Sequence, residues 1–336
     1  MDAQRRMPEI DVLRGILIVT VVVGHAIQQY AAALGRPGAA VESFIYSFHM
    51  PVFVFVSGFC ASRMTRISGW DEEREFLMSR FSRLLVPYFM WGGIYFVLRL
   101  CFGGYARIPY DYSKVAFFLG GYNPDGAMWF VWALFAATAL VVLAVRRVSV
   151  PCLLGLSLLA FGILYYSCDW TADYLRAILI LPMYAFFILL GVLFRNRFAG
   201  AGVSTPLSRI PLLFCGCCFA LAYGLQTSKI SSLFPWHLLT SVSAAFLLHG
   251  LACGIANRCA FLKSSLALLG VEAMAIYVLG EPIKVACRIA LSKLGVPVAM
   301  AFPVMIVCMF VLPVLLSRVI RRSAVLRRLL LGESGT

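Results

Sequence analysis

Long apolar runs separated by shorter polar stretches extend along the whole chain. A helix that crosses the hydrocarbon core of a bilayer needs about 20 mostly apolar residues. Runs of that kind predict ten membrane-spanning helices, at 10–32, 44–62, 84–103, 127–145, 150–167, 174–194, 210–226, 236–256, 266–288 and 297–317. We therefore expect an all-α, polytopic transmembrane helix bundle that forms one domain over 1–336, with short tails at 1–9 and 318–336.

The composition indicates that lipid, and not water, is the main solvent of the chain. Hydrophobic residues make up 62% of the sequence and charged residues 13%, whereas soluble domains average about half and about a quarter. These fractions exclude water-soluble, disordered and collagen-like proteins. The eleven cysteines lie mostly inside apolar runs, so we expect neither a disulfide framework nor a metal site.

The distribution of basic residues predicts the orientation of the spans. With the N-terminus in the cytoplasm, the segments on that side hold 19 Lys and Arg residues and the segments on the other side hold 6. Cytoplasmic loops of membrane proteins are enriched in these residues. We therefore expect both termini in the cytoplasm. The net charge of +14 then needs no nucleic-acid partner to explain it.

The first predicted span carries two ionisable residues at membrane depth, Arg14 and His25. Eleven residues are close to three helical turns, so both side chains lie on one face, about 16 Å apart along the axis. Asp11, one turn before Arg14, is placed to form an ion pair with it. Ionisable groups inside a bilayer are costly and usually functional. The alternative is that Arg14 extends to the inner interface and His25 forms a hydrogen bond with a neighbouring helix.

Two further ionisable residues fall at the depth of His25. Counting about 1.5 Å per residue places His49 about 8 Å inside the outer boundary, and His25 and Glu281 at nearly that level. Three such groups at one depth, towards the outside, indicate a reaction chamber. The alternatives are a helix-packing hydrogen bond for His49 and a local ion pair between Glu281 and Lys284, three residues apart.

Several stretches together resemble a known family. The opening EIDVLRGILIVTVVVGH contains an arginine and a histidine separated by ten residues. FHMPVFVFVSGF is an aromatic run that ends at Ser57-Gly58-Phe59, and SRFSRLLVPY has an Arg-x-x-Arg pattern at Arg80 and Arg83. These motifs resemble the acyltransferase-3 family of integral membrane O-acyltransferases, in its fucose 4-O-acetylase-like form with a single membrane domain. MWFVWALF, with Trp129, is a weaker landmark of the same family.

The chain departs from the family pattern in the ninth predicted span. The stretch LGVEAMAIYVLGEP has Gly280 and Glu281 where the family commonly has a histidine. The departure makes Glu281 a candidate to replace that histidine.

The resemblance implies transfer of an acyl group, most often acetyl, from cytoplasmic acyl-CoA to a hydroxyl of an extracytoplasmic or lipid-linked glycan. It places the protein in the cytoplasmic (inner) membrane, where it modifies cell-envelope polysaccharide. Acetyl-CoA is then a co-substrate, and no permanently bound cofactor is expected. The expected partners are acyl-CoA, the glycan acceptor and membrane lipid.

Chemistry assigns roles to the candidate residues. An imidazole with its ordinary pKa of about 6.5 suits a general base, so we expect His25 to activate the acceptor hydroxyl. An acylated His25 intermediate stays open as an alternative. The expected residues are catalytic Arg14, His25, His49 and Glu281, donor-binding Arg63, Arg66, Arg80 and Arg83, and supporting Asp11, Ser57 and Trp129.

Two alternatives stay open at this point. Basic residues at a cytoplasmic helix end also set topology and bind anionic lipid, which would explain the four arginines without a donor. A transporter or flippase of a lipid-linked sugar or acyl group would use a similar bundle without chemistry. Transporters often contain internal repeats, and the sequence shows none.

Overall fold

The computed structural model describes residues 7–103, 112–122, 128–168, 170, 175–198, 212–228 and 234–333. The regular structure in these residues is helical, which confirms the all-α fold class. The α-helices are α1 (Pro8–Gln29), α2 (Ala31–Tyr46), α3 (His49–Cys60), α4 (Trp70–Phe102), α5 (Trp129–Val145), α6 (Val150–Ser167), α7 (Arg176–Leu179), α8 (Leu181–Phe198), α9 (Leu212–Thr227), α10 (Phe234–Arg258), α11 (Ala260–Val271), α12 (Ala273–Lys293), α13 (Val298–Ile320) and α14 (Ala324–Leu331). Two 3₁₀ helices cover Ser62–Arg66 and Tyr112–Gly120.

Several of these helices are long and apolar enough to cross a bilayer, so the chain is a multi-pass membrane protein. The spans are Pro8–Gln29, Ala31–Cys60 (α2 and α3 taken together), Trp70–Phe102, Val150–Ser167, Pro235–Arg258 and Val298–Ile320. Within the described ranges, α11 and α12 add a seventh span if the bent pair crosses as one. Ten spans and cytoplasmic termini stay predictions, as does the single domain over 1–336. The first six residues and the starts of the predicted spans at 127, 174 and 210 lie outside the described residues.

Two helices begin well before the apolar runs that predicted them. α2 begins at Ala31 and covers the expected loop before residue 44, with a break at Gly35. Gly35 has a positive φ of 54°, which the absence of a Cβ atom permits. α4 begins at Trp70 and includes most of the polar stretch 63–83. Acidic residues in its first turn favour a helix N-terminus, and hydropathy alone does not detect a helix that continues into water.

The ninth predicted span is two helices and not one. α11 and α12 meet at Glu272 with a bend of 70°. Glu281 therefore lies on α12, in the third turn after the bend, and its depth cannot be counted along one straight rod from residue 266.

The chain divides into two compact units, and the first comprises Met1–Val56 and Arg197–Val314. α1 is its central helix and packs against α2, α10, α11 and α12. The approach of α1 to α11 is close because glycines face the partner backbone. A Cβ atom on Gly15 would collide with the carbonyl oxygen of Leu266, and one on Gly270 would collide with that of Asp11. Small residues permit such backbone contacts between membrane helices.

The second unit comprises Ser57–Asn196 and Leu315–Thr336. α5 packs against α4, α6 and α7. Gly58 brings α3 against the backbone of α8, where a Cβ atom would collide with the carbonyl oxygen of Ile188. The predicted C-terminal tail contains α14, which packs along α4. Trp91 donates a hydrogen bond to the carbonyl of Leu330 at 3.0 Å.

Candidate active site

His25 lies on α1 and contacts side chains of α1 and α2. Its Nδ1 is 3.2 Å from the Oε1 of Gln28, one turn later on the same helix. The Nε2 of Gln28 donates to the Oε1 of Glu42 on α2 at 3.1 Å. The ring of Tyr46 stands edge-on to the imidazole, with centroids 6.4 Å apart. α1 and α2 thus surround the predicted base with polar groups and one aromatic ring.

His49 is brought to the same place at the beginning of α3. Its ring lies 4.7 Å from that of Tyr46, which also contacts His25. His49 is buried, and its Nδ1 is 2.8 Å from the carbonyl oxygen of Ile45. Because a carbonyl oxygen only accepts, Nδ1 carries the hydrogen. This hydrogen bond is local, because its acceptor lies four residues earlier in the chain, and a packing bond to another helix stays a prediction.

Glu281 and Lys284 on α12 complete the group. Their Oε2 and Nζ atoms are 2.6 Å apart, and both side chains are largely buried. The local ion pair predicted as an alternative role for Glu281 is therefore present. It is near enough to His25 for its charges to influence the imidazole. We call this group the polar cluster; its members are His25, Gln28, Glu42, Tyr46, His49, Glu281 and Lys284.

Breaking the buried ion pair is expected to destabilise the protein. Lys284→Met leaves the carboxylate of Glu281 without its counter-charge, which costs about 3–5 kcal/mol when a buried pair loses one partner. We expect a clear fall in the melting temperature measured in detergent. The double variant Lys284→Met/Glu281→Gln removes both charges and should recover part of the loss. A double variant less stable than Lys284→Met would contradict this account.

Arg14 occupies the other end of the same face of α1. Its Nη1 lies 3.7 Å from the Oδ1 of Asp11, so the predicted pair is present. Ile18, Val21 and Val22 lie between Arg14 and His25 on that face, and they are 1%, 6% and 1% exposed. We call these three residues the covered stripe. Neighbouring groups therefore cover the face of α1 between Arg14 and His25.

In the second unit, arginines gather around two aromatic rings. Arg63 and Arg80 lie over the ring of Phe76, 5.4 and 5.2 Å from its centroid. Arg146 and Arg147 lie over the ring of Trp70, at 4.8 and 5.6 Å. We call these four arginines the basic cluster. Stacking on an aromatic ring holds a guanidinium group in place while its N–H groups stay available to an anion.

One arginine of the basic cluster is paired with a buried carboxylate. Glu73, which is 2% exposed, accepts a hydrogen bond from Arg146 at 2.8 Å. This pair connects α4 to the end of α5. Asp71 and Glu72 lie beside Glu73 in the first turn of α4.

The other predicted residues have varied surroundings in the second unit. Arg66 and Arg83 are exposed. The backbone of Arg83 packs closely against Gly332, the residue after α14. Trp129 stacks on Tyr184, with centroids 6.4 Å apart and planes at 24°. Ser57 is half-buried on α3, and the close contact of its motif with α8 belongs to the neighbouring Gly58.

The sequence did not identify several members of these clusters. Gln28, Glu42 and Tyr46 were not singled out, because their contacts link α1 to a segment expected to be a loop. Arg146 and Arg147 were counted only as topology signals. Their predicted location on the same side as 63–83 was the available indication that they could join Arg63 and Arg80.

Comparison with known proteins agrees with the motifs. The acyltransferase domain family matches residues 7–321. The chain belongs to the acyltransferase-3 family. Every site residue predicted from the sequence lies within the part of the chain that the family covers, whereas α14 lies beyond it.

Curated relatives of this acyltransferase-family chain match over a shorter stretch. Nodulation protein NolL of Sinorhizobium fredii is 29% identical over 147 residues, which are 42% of this chain and 37% of that protein. Nodulation protein NolL of Mesorhizobium japonicum is 27% identical over 140 residues, or 39% and 34% of the two chains. The match therefore spans little more than a third of the curated relatives. No solved structure matches the chain significantly.

Proposed function

We propose that this chain is a membrane O-acyltransferase of the cell envelope. It moves an acyl group, acetyl as the first choice, from cytoplasmic acyl-CoA to a hydroxyl of an extracytoplasmic or lipid-linked glycan. The observation that carries the proposal is the imidazole of His25, which pairs with Gln28 in a group of polar side chains, in a chain of the acyltransferase-3 family. The proposed location is the inner membrane.

The proposed reaction is a direct transfer at His25. The Nε2 atom of the ring accepts the proton of the acceptor hydroxyl as the hydroxyl oxygen attacks the thioester carbonyl. A C–O bond forms and the C–S bond breaks. The imidazolium then returns the proton to the thiolate, so the products are an O-acyl ester and free CoA.

The basic cluster is the proposed site for the phosphates of the donor. Coenzyme A is multiply anionic, and guanidinium groups bind phosphate oxygens in pairs. Arg66 and Arg83 are proposed to extend this donor site, and Arg14 with Asp11 to carry positive charge at the cytoplasmic end of α1. Ser57 and Trp129 are proposed to support the packing around the site.

Weakening the basic cluster is expected to affect donor binding. Arg80→Gln should raise the KM for acyl-CoA about 10-fold and leave kcat nearly unchanged. The 10-fold change corresponds to the loss of one charge-assisted hydrogen bond of about 1.5 kcal/mol. Arg74→Gln, on the exposed side of the same helix, is the matched control and should leave KM unchanged. An unchanged KM for Arg80→Gln would favour a role in topology or lipid binding.

Ten spans with both termini in the cytoplasm are part of the proposal. Three further helices are proposed to cross the bilayer: α5 and α9, which are apolar but short, and α8, which has Arg195 and Arg197 in its last turn. Together with the six long helices and the bent pair α11–α12, they make ten spans. The excess of basic residues on alternate segments supports this orientation.

The function is tested with purified protein in lipid nanodiscs. We expect the release of CoA thiol from acetyl-CoA to depend on a glycan acceptor, and mass spectrometry to find one acetyl group added to that glycan. A panel of acyl-CoA donors of increasing chain length then defines the acyl group. Absence of thiol release with every donor and envelope glycan tried would contradict the proposal.

A transporter or flippase is the second candidate function. The bend of 70° between α11 and α12 favours it, because broken helices form the substrate sites of many transporters. A carrier would move lipid-linked sugar across proteoliposomes without releasing thiol. The two assays therefore separate the candidates.

A further inference from the structure

A chain of hydrogen bonds extends from His25 to a carboxylate on the next helix. His25 and Gln28 lie one turn apart on α1, with Nδ1 and Oε1 3.2 Å apart. Gln28 reaches Glu42 on α2, from Nε2 to Oε1, at 3.1 Å. The sequence motifs include neither Gln28 nor Glu42, and the proposed reaction does not use them.

The chemistry of the end groups fixes the direction of this chain. An ionised carboxylate only accepts hydrogen bonds, so Glu42 must receive the NH₂ group of Gln28. The amide oxygen of Gln28 then points to His25, and an amide oxygen also only accepts. The nitrogen of His25 that faces it must therefore carry a hydrogen. The ring is left with its lone pair on Nε2.

We infer that Glu42, acting through Gln28, fixes His25 in the tautomer with the hydrogen on Nδ1 and the lone pair on Nε2. Glu42 and Gln28 are positioning residues, because they act on the base and not on the substrate. The hydrogen bond of His25 with Gln28 is its only one within the described residues, so Nε2 keeps its lone pair for a reacting hydroxyl. The kinetic part of the inference rests on the proposed function, whereas the tautomer does not.

The inference explains why a neutral amide stands between the base and the acid. A glutamine can turn its oxygen or its nitrogen towards the imidazole, and these two orientations select opposite tautomers. Glu42 removes the ambiguity by accepting from the nitrogen. Without Glu42, Gln28 loses the acceptor that favours this orientation, and the reversed amide would stabilise a ring with its hydrogen on Nε2, which cannot act as a base there.

A charge-swap series tests the kinetic part. Glu42→Gln should lower kcat about 10- to 100-fold with little change in KM, the range found when a partner that orients a metal-bound histidine is lost. Gln28→Glu places two carboxylates side by side and should also lose activity. The double variant Gln28→Glu/Glu42→Gln restores one acid and one amide, with the acid accepting directly from Nδ1. We expect it to recover most of the activity.

The matched control adds the same charge one residue away. Gln29→Glu leaves both hydrogen bonds intact and should keep nearly normal kcat. If the double variant is no more active than the single variants, the inference is overturned. Fluorescence-detected gel filtration of each variant identifies any loss of activity that comes from misfolding. Recovery of activity by the double variant would exclude misfolding as the cause.

The tautomer itself is read by ¹⁵N NMR of protein labelled at histidine. The chain has four histidines, and His25→Ala assigns the signal of His25 by its disappearance. We expect a protonated Nδ1 and an unprotonated Nε2 in the wild-type protein, and a mixture in Glu42→Gln. A protonated Nε2 in the wild type, or identical spectra for the two proteins, would overturn the inference. If His25→Ala keeps full activity while the spectra behave as expected, the proposed role of His25 as the base fails and the positioning stands; if no donor releases thiol while the spectra behave as expected, the proposed function fails and the positioning stands.

Discussion

Replacement of His25 by alanine is expected to abolish measurable acyl transfer. Loss of a positioned general base typically lowers the rate by about 10²–10⁴-fold. The ring belongs to the polar cluster, together with the ion pair of Glu281 and Lys284. The measurement is acceptor-dependent thiol release from acyl-CoA, with protein quantity normalised by gel filtration.

The control for His25 is another histidine of the chain. His237→Gln changes a partly exposed side chain on α10 that has no place in the proposed reaction, so it should keep near-normal turnover. Trapping with acid then separates direct transfer from an acylated intermediate. A wild-type protein that retains radiolabelled acetyl after denaturation, lost in His25→Ala, would favour the covalent route. Normal turnover by His25→Ala would show that the base lies elsewhere.

Gly15→Ala is expected to lower the stability of the protein clearly. The new Cβ atom would collide with the backbone of Leu266 on α11, and a backbone carbonyl cannot rotate away as a side chain can. Overpacking of this kind costs about 3 kcal/mol. Since α1 is the central helix of the first unit and carries His25, separation of α1 from α11 should reduce activity as well as stability. Thermal unfolding in detergent measures the first effect.

The matched control for Gly15 is a glycine with open surroundings. Gly254 lies inside α10 with nothing near the position of a Cβ atom. Gly254→Ala should therefore stabilise the protein by about 0.5–1 kcal/mol, because alanine is the better helix former. The two substitutions are chemically identical and are expected to change the melting temperature in opposite directions. Equal effects would show that the close approach of α1 and α11 is not essential.

Regular spacing made part of the site predictable from the sequence. The rise of a helix placed His25 and His49 at one depth, and the structure brings them to either side of Tyr46. A separation of three residues likewise predicted the pairs of Asp11 with Arg14 and of Glu281 with Lys284. Such contacts depend only on helical geometry, which a single sequence provides.

Contacts between distant segments were not predictable in this way. Gln28 and Glu42 meet across the end of α1 and the break of α2 at Gly35, and the apolar pattern gives no sign of a helix there. Glu73 and Arg146 are separated by 73 residues, so their meeting depends on the packing of α4 against α5. The beginnings of α2 at Ala31 and of α4 at Trp70 could not be predicted, because hydropathy indicates contact with lipid and not helical structure.

The covered stripe of α1 has a consequence for the hydrolysis of acyl-CoA that would compete with the proposed transfer. Ile18, Val21 and Val22 exclude solvent from the face that joins the guanidinium of Arg14 to the imidazole of His25. A donor that binds along this face must first separate α1 from the helices that cover it. These helices are expected to return to their contacts with α1 when the product leaves. Such gating limits the time during which water can reach an activated ester. Wasteful hydrolysis of acyl-CoA in the absence of acceptor should therefore be slow, and leakage of ions through the bundle should be negligible.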